Sequence, residues 1–464
     1  MTEGSSLTIG LIATISPELN DTWGAEARER GLDRLRQARQ VLESLGAAVI
    51  DPSEITTTNE SAARHGRLLR QQGAHILVVY VAMWSYGSAA VSAAAECGVP
   101  VVVWTDTDVQ YVGIVGATVV RGSLDEAGIK NTMVYGEVDD PVVRRKLEVA
   151  CVGGASATRL RGLQYGLMGS RSLGMLTASV DANFWRRRFG VEVEAWDQLE
   201  VVERARSLPG SAVAHHVAWT KDVFGDISVS EEVLSAGIKL YVICKRIIEE
   251  RGFDFVSVRC LPEMPGTFTT FCYAIALLND TNDADGDKEA VVCACESDSN
   301  GALTMQILKH LAGAPVLFAD VRHVDLADRQ IWLSNCGSSA TQLASSRSEI
   351  RWVNHGFNEY TWKLGAATPQ YVCKGGRVTL ARLTRVAGEY VMLIAGGRCI
   401  EEPREKLAKT HWEFSPHAFV EVDGDARQVA EELRSNHLHM VYGDYVSHLV
   451  EACRVLEIRP IVVD

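Results

Sequence analysis

Short apolar, β-branched runs separated by helix-length segments recur through the first 320 residues, and this rhythm restricts the possible folds more than any other feature. LTIGLIA at 7–13, HILVVYVAMW at 75–84 and VPVVVWTDTD at 99–108 each read as a strand buried on both faces. Amphipathic or small-residue helices are expected between them, at about 25–45, 59–72 and 87–98. Such alternation predicts a doubly wound parallel sheet. The loops at Ser16–Trp23 and Trp84–Gly87 leave the carboxyl ends of these strands, the edge where open α/β sheets bind ligands. Neither a GxGxxG nor a Walker pattern follows any of them, so this part of the chain offers no nucleotide site.

The stretch 289–323 carries the densest chemistry. Val291 to Cys295 reads as a buried strand closed by Glu296. Ser297, Asp298 and Ser299 are helix N-cap residue types. Ala302, Met305, Leu308 and Leu311 follow at helical spacing until Gly313 and Pro315. Val316 to Phe318 is the next strand, closed by Asp320. A strand–helix–strand unit predicts parallel neighbours joined by a right-handed crossover. Glu296 and Asp320 would then sit side by side at two strand ends, about 4.8 Å apart. FDFVSVRCLPE is expected to bring Glu263 to the end of a third strand of that sheet. Carboxylates this close repel unless a cation or a shared proton compensates them.

Past residue 340 the segments become short, alternating and turn-separated, which predicts an antiparallel β domain, a small barrel or sandwich, with a hairpin turn at Gly375-Gly376. Near the end, Asn436, His437 and His439 are expected in a loop ahead of a helix, a candidate metal or acid–base site. The fold class is therefore α/β, with two doubly wound parallel α/β domains (1–165 and 166–340) and a C-terminal antiparallel, barrel-like domain (341–464). A net charge of −13 argues against a nucleic-acid partner. No stretch reaches 18 consecutive apolar residues and the N-terminus lacks a secretory pattern, so a cytoplasmic protein without a membrane partner is expected. The eleven scattered cysteines read as reduced, buried side chains.

CESDSNGALT at 295–304, FADVRH at 318–323 and NHLHMVYGDY at 436–445 resemble the L-fucose/L-arabinose isomerase family, as does the order of domains. The chain looks like a compact member. The resemblance implies a divalent ion, manganese or alternatively magnesium or cobalt, held by Glu296, Asp320 and His437, with His439 as a competing ligand. It implies an aldose–ketose isomerase working by enediol proton transfer, with Glu296 and Asp320 as the acid–base pair. His439, Glu263, Trp84, Trp23 and His323 become candidates for sugar contacts, and a homohexamer is implied. The substrate stays open between L-fucose, D-arabinose or L-arabinose and a modified hexose such as sulfoquinovose. An anionic sugar would need a cation, and Arg322, Arg351, Lys374 or Arg377 could supply one. The competing readings are a non-catalytic sugar-binding protein and a metal-dependent hydrolase or aldolase on the same acidic edge.

Overall fold

The computed structural model describes residues 7–22, 24–354, 365–410 and 412–464. The chain forms two compact units. The first holds residues up to 159 together with 447–457; the second holds 160–446 and 458–464.

In the first unit, β1 (Thr8–Thr14), β2 (Ala48–Ile50), β3 (Ile76–Val81), β4 (Val101–Thr105) and β5 (Asn131–Tyr135) form a wholly parallel sheet in the order β2-β1-β3-β4-β5. The two-residue pleat explains why these strands are apolar throughout. Ile76, Val78 and Tyr80 enter one core, while Leu77, Val79 and Val81 enter the other. The helix Val446–Leu456, from the far end of the chain, also belongs to this unit. Its Glu451 accepts a hydrogen bond from Thr132 on β5 at 2.8 Å. Gly153 lets it approach closely, since a Cβ there would lie 2.6 Å from the His448 carbonyl oxygen.

The second unit is built on two large sheets, beside a two-stranded and a three-stranded one. β6 (Gln164–Met168), β7 (Glu192–Trp196), β8 (Phe255–Ser257) and β9 (Val292–Ala294) form a parallel sheet in the order β9-β8-β6-β7. β10 (Leu317–Asp325), β11 (Gln330–Ser334), β12 (Gly376–Val386), β13 (Glu389–Ile400), β14 (His417–Val422) and β15 (His437–Tyr442) pair antiparallel in the order β12-β15-β10-β11-β14-β13. β12 also pairs with β13, so the ring of six closes. β16 (Arg459–Val463) adds to β13 in parallel. Helix Ser299–Ala312 packs against β8 and β9 of the parallel sheet and against β12 and β15 of the barrel. Contact on both sides explains why its first ten residues are all buried.

Three local expectations are corrected. Glu296 and Asp320 do not end neighbouring parallel strands: β9 pairs with β8, whereas β10 lies between β15 and β11 in the antiparallel barrel. A strand–helix–strand pattern fixes the helix but not the sheet that its second strand joins. The polar residues of β10, Asp320 and Arg322, suit a strand with one open face. His437 and His439 lie in β15 rather than in a loop, so they share a strand face. The hairpin turn falls at Ala387-Gly388, not Gly375-Gly376: Val386 pairs with Glu389 across two residues of positive φ, 52° and 92°, the signature of a type I′ turn.

Candidate active site and metal centre

The site forms where the N-terminus of helix Ser299–Ala312 meets β10 and β15. After β9 the chain turns through two successive non-glycine residues of positive φ, Glu296 (60°) and Ser297 (51°). Such backbone costs about 1–2 kcal/mol per residue and persists only when its surroundings hold it. Here the Ser297 N–H donates to the Val258 carbonyl at 3.1 Å, and its hydroxyl donates to the Met168 carbonyl at 2.7 Å. The turn buries the Glu296 carboxyl, leaving the residue 6% exposed, and sets Asp298 as the helix cap, accepting from the Gly301 N–H at 2.9 Å.

Asp320 and His437 face each other directly in the β10–β15 ladder. His437 Nδ1 donates to Asp298 Oδ2 at 2.7 Å, which directs Nε2 to the other carboxylates. Nε2 lies 3.5 Å from Glu296 Oε2 and 3.6 Å from Asp320 Oδ1, and it is buried without a hydrogen-bond partner. Asn335, just after β11, donates to Asp320 Oδ2 at 3.1 Å and lies 3.5 Å from Glu296 Oε1. Asn436 donates to Asp320 Oδ1 at 2.7 Å. Arg382 of β12, itself buried, makes a two-pronged ion pair with Asp298.

The charges in this cluster are unbalanced. Three carboxylates, Glu296, Asp298 and Asp320, meet one buried guanidinium. Burial would raise Asp298, but the charge of Arg382 and the His437 hydrogen bond outweigh it and hold the carboxyl well below the usual range. Burial would lower His437, yet the Glu296 charge and the Asp298 bond raise it to about 10. Asp320 is raised, chiefly by burial and then by Glu296, against the pull of His437 and Asn436. The cluster therefore favours added positive charge.

An orphaned imidazole nitrogen facing two carboxylates fits a hard divalent ion such as manganese or magnesium. The Asp298–His437 pair is the carboxylate–histidine support that metal-ligating imidazoles usually carry. Cys295 and Cys336 Sγ also lie within 4.8 Å of the Glu296 carboxylate. The Cys336 hydrogen bond lowers the Cys295 thiol, but burial together with the neighbouring Cys260, Glu296 and Cys272 outweighs it and leaves it at about 12, so it stays protonated and ligates poorly. All eleven cysteines are free and buried.

The other candidates are placed as follows. His439 is also fully buried, but its Nε2 lies 3.2 Å from Arg382, and burial together with that guanidinium pushes its pKa well below the ordinary value. A cation beside Arg382 would be repelled. Glu263 does not end a strand: β8 stops at Ser257, and Glu263 opens the short helix Glu263–Thr267, exposed and paired with Arg259. His323 lies on β10 with its ring 4.8 Å from that of Trp332. Trp84 is half-buried and follows β3 in the first unit. Trp23 lies outside the described residues. Among the proposed cations, Arg351 pairs with Asp226, Arg377 with Asp423, and Lys374 donates to the Gln342 carbonyl. Arg322 stands 3.9 Å from Asp320.

Sequence reasoning missed Asn335 and Arg382 and took Asp298 only for a helix cap. Arg382 carried a signal, since in the alternating run GRVTLARLTRV it falls on the same face as Val378 and Leu380, a charge at a core-facing position.

The family profile of the L-fucose isomerase first N-terminal domain matches residues 29–162, and that of the L-fucose isomerase C-terminal domain matches 333–463. Together they span more than half of the chain and include His437, while Glu296 and Asp320 lie between them. A sulfoquinovose isomerase from Clostridium sp. (strain MSTE9) is 25% identical over 334 residues, 70% of each chain. Another, from Priestia aryabhattai, is 22% identical over 372 residues, 78% of this chain and 79% of that one. An L-fucose isomerase from Vibrio vulnificus (strain YJ016) is 24% identical over 356 residues, 65% of this chain and 61% of that one. The chain belongs to the L-fucose isomerase family, a family of aldose–ketose sugar isomerases.

Proposed function

We propose that the protein is a metal-dependent aldose–ketose isomerase acting on a monosaccharide, with Glu296, Asp320 and His437 holding the divalent ion. The observation that carries this reading is the convergence of the unpartnered His437 Nε2 on the Glu296 and Asp320 carboxylates at 3.5 and 3.6 Å. A bound ion would polarise the sugar carbonyl and offset charge as the C2 proton leaves. The chain's own residues do the rest. Glu296 and Asp320 form the acid–base pair, one carboxylate taking the proton from C2 and returning it to C1. Asn335 and Asn436 fix the Asp320 carboxylate, and Asp298 fixes the His437 tautomer. Manganese is the first choice of ion for this donor set. A homohexamer and a cytoplasmic setting accompany this reading by family likeness, and light scattering of the purified protein tests the subunit number.

The test is hydrogen–deuterium exchange at C2 of an aldose by the metal-stripped protein, before and after manganese is restored. Manganese-dependent exchange accompanied by ketose formation is expected. Tight manganese binding without exchange on L-fucose, arabinose or sulfoquinovose would overturn the isomerase reading in favour of a metal-dependent hydrolase or aldolase.

A further inference from the structure

Beside the triad, the second unit carries a cavity of about 470 Å³, within the usual range for small-molecule sites. Arg322, His323, Trp332, Lys409, Trp412 and His417 line it, and no acid does among the described residues. An electropositive hollow in a chain of net charge −13 is a local exception.

The cavity is tied to the site through the barrel ladder. His437 pairs with Asp320, Asp320 with Ser334, and Ser334 with His417, so one row across four strands runs from the triad to the cavity. Arg322 follows Asp320 on β10, with its guanidinium 3.9 Å from Asp320 Oδ2. That group stacks on Trp412, 4.1 Å from the ring centroid, which orients it. His417 is fully buried. Its Nδ1 lies 2.9 Å from the Ser415 carbonyl oxygen and must therefore carry the hydrogen, while Nε2 has no partner. An acceptor left unpaired at the cavity wall marks it as a surface shaped for polar contact rather than simple packing. Trp332 and Trp412 supply the flat apolar faces against which sugar C–H groups pack.

We propose that this cavity is the subsite for the non-reacting end of the sugar, and that Arg322 and Lys409 select a substrate carrying an oxyanion there, a sulfonate or phosphate at C6. The proposal rests on the isomerase reading of the adjoining triad. Guanidinium and ammonium groups bind such oxyanions through charge-assisted hydrogen bonds.

The test uses the manganese-loaded full chain with four sugars: sulfoquinovose, glucose 6-phosphate, glucose and 6-deoxyglucose. C2 exchange gives kcat/KM, and calorimetry gives binding. The wild type should favour an anionic sugar over both neutral ones by roughly 100-fold in kcat/KM, about two charge-assisted contacts' worth. The ranking of sulfonate against phosphate identifies the group. Lys409→Met should cost roughly tenfold more on the anionic sugar than on the neutral ones, the difference lying mainly in KM. Equal use of anionic and neutral sugars by the wild type would overturn the subsite, as would an equal loss on both in Lys409→Met. If the wild type exchanges none of these sugars or L-fucose yet still binds the anionic ones in a Lys409-dependent manner, the isomerase reading fails and the subsite stands.

Discussion

Asp298 joins three jobs in one carboxylate: it caps a helix, neutralises Arg382 and orients His437. Asp298→Asn keeps the cap's shape but leaves Arg382 as a buried charge without a counter-ion. Urea unfolding should show a loss of about 3–5 kcal/mol, and manganese affinity should fall by roughly 10–100-fold. Glu296→Gln acts differently. It retains the volume and removes a ligand charge, so equilibrium dialysis should show manganese lost while circular dichroism is unchanged, and C2 exchange should fall by more than ~100-fold. His417 contributes to the pH dependence of stability. Burial, reinforced by Arg322, lowers its pKa to about 4, below the ordinary value of about 6.5. The folded state therefore refuses a proton that the unfolded chain accepts. The contribution is complete above pH 6.5 and is lost as the pH falls towards 4, a swing of roughly 3 kcal/mol. Urea midpoints at pH 7.5, 6 and 5 should show this slope, flattened in His417→Gln. At this scale the acidic pair and the His437 motif were legible because they stand in recognisable short motifs, CESDSNGALT, FADVRH and NHLHMVYGDY, although Asp320 lies inside β10 rather than at a strand end. Asn335 was not, because an asparagine after a strand has no signature until the folded chain brings a carboxylate to it.

The element that carries the site is helix Ser299–Ala312, placed between the parallel sheet and the barrel. Its apolar spacing, its cap and its Gly313 stop could all be read directly from the sequence. The sheet joined by the following strand could not, since an apolar run of three residues looks alike in either setting. Gly301 shows how tight the helix entry is: a Cβ there would stand 2.6 Å from Asp298 Oδ2 and 2.9 Å from Arg382 Nη1. Helix propensity alone would favour alanine by about 1 kcal/mol. Overpacking against a buried ion pair opposes it, and the displaced atoms are charged groups that cannot retreat to water. Gly301→Ala should lose about 1–3 kcal/mol in urea unfolding, and its manganese affinity should fall with the position of Asp298.

On the scale of the whole molecule, the doubly wound first sheet was legible because its strands are apolar on both faces, and the β-rich end because its strands alternate. The return of residues 447–457 to the first unit was not, since a helix with one apolar face does not name the surface it covers. Gly153→Ala tests that contact. The new methyl would meet the His448 carbonyl, and hydrogen exchange should show faster opening of Val446–Leu456, by roughly 1–3 kcal/mol, with protection of the barrel strands unchanged. The same contact also orders events on the ribosome. The first 159 residues leave the exit tunnel nearly three hundred residues before the helix that completes their unit. At about 5–20 residues per second, that is roughly 15–60 s during which the nascent first unit lacks one of its covering helices. For this interval the newborn chain carries an uncovered patch of its own core, closed only once residues 447–457 have emerged.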